Sequence, residues 1–203
     1  EEMIEMSNLS ERTDTLPEWT HLDFQRCPHC TLSEQDCRYC PPALGMVKIV
    51  QRFSESVSFE IVTLHITSTT QKHSITTDLQ TALAYLYPAI LLKSECPYAH
   101  LLRPMEKFFK PFYSFEDVLF YVLSFDLIKK CIADGGPDAS DAAEDDKNPY
   151  NLATAFHGLL NRVRTASHND ANINAIFKNI QWSCSVLHSR QNILERMKPY
   201  FSD

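Results

Sequence analysis

Two paired cysteine motifs, Cys27-Pro-His-Cys30 and Cys37-Arg-Tyr-Cys40, have the residue types and spacing for metal chemistry. Each C-x2-C turn sets two sulfurs on one side of a tight bend, and six intervening residues let the second pair fold back over the first. Four thiolates so placed enclose a tetrahedral Zn²⁺ at about 2.3 Å from each sulfur. A shell of four protein ligands leaves no position for a reacting water. The expected role of zinc is therefore structural, with its binding contributing folding free energy. Iron or an iron–sulfur cluster is the rival cofactor, since Cys40-Pro41 resembles the Cys-Pro that closes ferredoxin runs, although those runs space their cysteines more closely. Disulfides are the other rival. Seven cysteines is an odd number, and the acidic start Glu-Glu-Met-Ile-Glu-Met lacks the order of a secretory leader. That usage favours metal in a reducing compartment, so the cytoplasm is the expected location.

A second constellation is Cys96-Pro97 followed by His100 and Arg103. Cys96 and His100 at i and i+4 on one helix face would suit a nucleophile and its base, or two metal ligands. The plainer reading is a helix break with one buried thiol and one surface histidine, because no third group orients the pair. Asp134, Asp138, Asp141, Glu144, Asp145 and Asp146 lack the EF-hand alternation and read as a solvated loop. Asp170-Ala-Asn172-Ile-Asn174 reads as capping chemistry rather than a polar pocket. Arg162, Arg164, Lys178, Arg190, Arg196 and Lys198 give the C-terminal quarter a modest positive excess, read as a solvated helix surface.

Composition narrows the classes further. Apolar residues make up 44% and charged residues 22% of 203, which is globular usage. Four glycines leave little material for phosphate-binding loops. Net charge is −7, but residues 1–16 carry −4 and 134–146 carry −6, so the remainder stands near +3. Nucleic acid is thus an unfavoured partner. Nothing approaches the roughly 18 apolar residues of a membrane span.

Several elements must position the cysteines. Residues 1–20 are expected to form a flexible or loosely docked arm, followed by one domain over 21–203. Within it, 21–56 hold the metal lobe and a first helix opened by Pro41-Pro42. A β-hairpin fills 57–76; the apolar phase changes between Phe59-Ile61 and Val62-Leu64-Ile66, predicting a bulge or a strand buried on both faces. The helical core 77–133 contains a helix capped by Asp78 with Leu79, Leu83, Leu86 and Ile90 on one face and Pro88 inside it. A further helix opens at Ser114 and is expected at the centre of the fold. An acidic loop over 134–147 precedes C-terminal helices over 148–203, the last lined by Ile193, Leu194, Met197 and Phe201. The fold class is α+β: mostly helical, one hairpin, and an N-terminal tetracysteine lobe of zinc type.

The paired cysteines, Cys40-Pro41, Cys96-Pro97, Arg103-Pro104-Met105 and Asp170-Ala171-Asn172 together resemble an uncharacterised bacterial domain family of about this length. The resemblance implies no activity, but it does imply that Cys96 and Arg103 belong to a purposeful site beside the zinc lobe. The leading expectation is a cytoplasmic zinc-binding adaptor or regulatory domain that acts through another protein. A redox or metal-responsive sensor using the four cysteines, with iron or a zinc/disulfide switch, is the alternative. A cysteine-dependent enzyme built on Cys96 and His100 is the third reading, and on balance an enzyme is not expected.

Overall fold

A computed structural model describes residues 2–5, 15–28, 30–35, 37–67, 72–99, 112, 117, 120, 121, 124, 125, 128 and 148–188. Its sheet is built on β2, Ile61–Thr67, in which Val62, Leu64 and Ile66 are buried and the residues between them are not. Strict alternation puts every second side chain on the core face. β2 is therefore one-sided and unbulged, contrary to the expectation from the phase change: Phe59 and Ile61 stand outside the buried set at 73% and 60% exposure. β3, Lys72–Asp78, pairs antiparallel with β2 over its whole length, from Thr67 opposite Lys72 to Ile61 opposite Asp78. On the outer face the Thr63 and Thr76 hydroxyls meet at 2.9 Å across the two strands.

The N-terminal segment departs from the expected arm. Glu2–Glu5 forms β1, parallel to β2, with Ile4 opposite Leu64, so the hairpin grows into a three-stranded sheet of order β1-β2-β3. A bare strand edge leaves backbone donors and acceptors unpaired, and β1 supplies partners for them. Polar composition concealed this, because the strand is only four residues long.

Helix α1 runs Pro41–Arg52, with the two prolines in its first turn, and buries Ala43, Met46, Val47, Ile49 and Val50. α2, Leu79–Lys93, starts where β3 ends; Asp78 caps it by accepting the Thr81 amide at 3.0 Å and the Thr81 hydroxyl at 2.8 Å. α2 is buried on all sides through Leu79, Leu83, Leu86, Tyr87 and Leu91, so it occupies the centre. Most of the helix expected from Ser114 at the centre of the fold lies outside the described residues. Of its described residues, Phe120 and Ile128 are exposed, while Tyr121 and Phe125 pack on Leu92. α1 crosses α2 closely at Gly45: a Cβ there would lie 2.6 Å from Ile90 Cγ2, so only glycine permits the approach.

α3, Asn148–Val163, and α4, Ala171–His188, complete the core through Phe156, Leu159, Leu160, Ala175 and Ile176. Asp170 joins α4 to the turn before β2, accepting the Ser58 amide at 2.8 Å and its hydroxyl at 3.0 Å. Asn172, buried, donates to the Val50 and Phe53 carbonyls and accepts the Tyr87 hydroxyl. It therefore locks α4 to the end of α1 and to α2, a larger role than capping. The expected acidic loop and the helix over 193–201 lie outside the described residues. No helix of the described residues is long and apolar enough to cross a membrane.

Burial acts to raise the Asp78 carboxyl pKa, but the Thr81 hydrogen bonds and Lys178 outweigh it and hold the group below its ordinary value. A depressed folded pKa gives stability that is complete above the unfolded value of about 3.9 and is lost as pH falls through the folded one. Asp78→Ala should cost about 1 kcal/mol at neutral pH in urea melts. The difference from wild type should shrink below about pH 4, and a gap constant with pH would contradict the assignment.

Candidate metal centre

The cysteine loop is closed by a short antiparallel pairing that the sequence pattern did not announce. Cys40 donates its amide to the Thr20 carbonyl at 2.8 Å, Leu22 donates to Arg38 at 3.0 Å, and His21 stands opposite Tyr39, their rings 4.8 Å apart. Between these two stretches the chain turns at Gln25, whose φ of 46° is unusual for a residue with a side chain. Cys27 and Cys30 share a turn, with the Cys30 amide 3.2 Å from the Cys27 carbonyl. Arg26 ties that turn down by donating to the Cys30 and Leu32 carbonyls.

This lobe sits on one face of α3. Ala155, Gly158, Leu159 and Arg162 recur at helical spacing, and Ala155, Leu159 and Arg162 line a cavity of about 20 Å³ with Cys27, Cys30 and Cys40. That is about the space one small ligand atom or water needs. Gly158 lies under Cys27: a Cβ there would come within 2.1 Å of the Cys27 sulfur, so the missing side chain is what admits the thiol.

Arg162, expected on a solvated surface, is 1% exposed. It donates from Nη1 to the Trp19 and His21 carbonyls at 2.8 and 2.6 Å, and from Nη2 to Leu22 at 2.8 Å. Its buried Nε has no acceptor among the described residues. A buried guanidinium needs either full hydrogen bonding or a counter-charge, and it lines the same cavity as the thiols.

Cys96 reaches this cavity from the far end of α2, at 7% exposure, together with Pro97 and Tyr98. A 3-10 turn over 97–99 follows it, and the Tyr98 and Ala99 amides act to stabilise its thiolate against the larger effect of burial. The Tyr98 hydroxyl is buried without a partner among the described residues. Cys37 is half-buried and does not line the cavity. His29, His100 and Arg103 lie outside the described residues.

Burial pushes the Cys27 thiol up to about 12, reinforced by Cys40 and Cys96 and opposed by Arg162. Burial likewise raises Cys40, against Arg162 and the Ala43 amide, and lifts Cys96 to about 11. A catalytic cysteine needs the opposite, a lowered pKa and access. The softness of these thiols suits zinc or iron, which displaces the protons on binding. Among the described residues, no three Cys, His, Asp or Glu side chains already stand in coordinating geometry. Binding would thus require the sulfurs to come closer together than they stand. The donor type, the cavity and the unpartnered Arg162 Nε all fit a thiolate-bound ion.

A family model described as a domain of unknown function, DUF6901, matches residues 2–202. The chain belongs to that family. Its lack of an assigned activity agrees with what the resemblance in the cysteine and Arg-Pro-Met motifs implied. Comparison with curated proteins and with solved structures gives no match.

Sequence reasoning missed Arg162, Gly158 and Tyr98. The available signal was a repeat of short form: Cys40-Pro-Pro-Ala43 and Cys96-Pro-Tyr-Ala99 both set a cysteine before a proline-led helical turn. Gly158→Ala should destabilise the protein by about 1–3 kcal/mol, through the clash with Cys27. In a Cys27→Ala background the same change should become neutral or stabilising, by up to about 1 kcal/mol, because alanine favours the helix. Additive costs in the double-mutant cycle would refute the contact. Arg162→Met, which removes the donor to the Trp19 and Leu22 carbonyls and one of two donors to His21, should cost about 3 kcal/mol or more in urea unfolding.

Proposed function

We propose that the chain is a non-enzymatic cytoplasmic adaptor or regulatory domain whose N-terminal lobe is fixed by zinc held on cysteine thiolates. The observation that carries this reading is the cavity under the lobe, lined by Cys27, Cys30, Cys40 and Cys96 together with a buried guanidinium whose Nε has no partner among the described residues. Thiolates bound to zinc carry net negative charge, and a donor such as the Arg162 Nε supplies the compensating hydrogen bond that ligand sulfurs commonly receive. A role in binding another protein is supported by neighbouring exposed apolar side chains, Phe59 and Ile61, at the entry to β2.

Protein purified without added metal should contain one zinc per chain by elemental analysis, and Cys30→Ser should lose it and melt at lower temperature. Visible absorbance with iron in place of zinc would select the sensor reading. Absence of any stoichiometric metal would overturn both.

A further inference from the structure

Building on the metal reading above, we propose that the fourth ligand is Cys96 and not Cys37, so that the ion is held by Cys27, Cys30, Cys40 and Cys96. The cavity carries the argument. Cys27, Cys30 and Cys40 of the lobe line it together with Cys96, and Cys37 is absent from its lining. Cys96 is also the most buried of these cysteines.

Two residues that line the cavity, far apart in sequence, each carry a buried donor without a partner among the described residues. The Arg162 Nε comes from α3 and the Tyr98 hydroxyl from the turn after Cys96. Tyr98 is only two residues from Cys96, so the element that delivers the thiol also delivers a hydroxyl that thiolate sulfurs can accept. Cys40 and Cys96 stand in the same local setting, each followed by proline at the first position of a helical turn. Proline there sacrifices no hydrogen bond and leaves the next amides aimed back at the cysteine. Cys37 lies between Ser33, whose carbonyl accepts its amide, and the strand that pairs with residues 20–22, a position set by the loop.

Ligation by Cys96 changes what the metal does. A set confined to 27–40 staples one loop. A set reaching residue 96 closes a circuit through α1, β2, β3 and α2, so the ion joins the lobe to the central helix. Each ligation replaces a thiol proton by the metal, with no change of oxidation state.

The test is zinc-edge X-ray absorption on the zinc-loaded full chain. Cys37→Ser alters a half-buried position and should keep four sulfurs around zinc. Cys96→His, which retains a donor, should show three sulfurs and one nitrogen. Three sulfurs in Cys37→Ser, or four sulfurs in Cys96→His, would overturn the assignment while leaving zinc binding intact. Zinc absent from the wild-type chain would instead remove the metal reading itself.

Discussion

The burial of Arg162 governs the arrangement around it. A guanidinium cannot be left in an apolar interior without acceptors, and three of its hydrogen bonds go to the carbonyls of Trp19, His21 and Leu22. Those bonds hold 19–22 against α3, 140 residues later in the chain as measured from Leu22. Once that stretch is fixed, the amide of Cys40 has a carbonyl to meet at Thr20, and α1 begins from a defined point. One cation thus sets the position of the lobe, the start of the first helix and the floor of the thiol cavity.

The remaining contacts adapt to this constraint. Gly158, one turn before Arg162, removes the side chain that would exclude Cys27. The other end of the core is joined by Asn172, whose single amide reaches the last turn of α1 and the Tyr87 hydroxyl of α2. Between these two polar anchors lies an apolar interior of α1, α2, α3, α4 and the inner face of β2. Apolar packing is non-directional. The two hydrogen-bonded anchors supply the direction, pinning which residues of the N-terminal half face which turns of α3 and α4.

Thiols in such a place have a chemistry opposite to that of a reactive cysteine. Burial holds Cys27, Cys40 and Cys96 protonated, and only a group that replaces the proton can bring out their affinity. In the proposed site a positively charged ion does this, with Arg162 moderating the charge that results.

Local signals determined much of the architecture. Asp78 before an apolar run gave the start of α2, Pro41-Pro42 gave the start of α1, and period-two burial gave β2, because capping, proline geometry and side-chain alternation act over a few residues. Spacing also pointed to Cys27, Cys30, Cys37 and Cys40 as one set, of which Cys27, Cys30 and Cys40 line the cavity. Tertiary structure alone decided that Arg162 is internal, that Gly158 faces a sulfur and that Glu2–Glu5 completes the sheet, and it brought Cys96, which the family resemblance had set beside the lobe, to the cavity itself. Each of these depends on partners between 55 and 145 residues away by order of magnitude, where loop closure is entropically weak and no short-range pattern records the pairing. A charge on a helix reads as surface until the carbonyls that enclose it are in place.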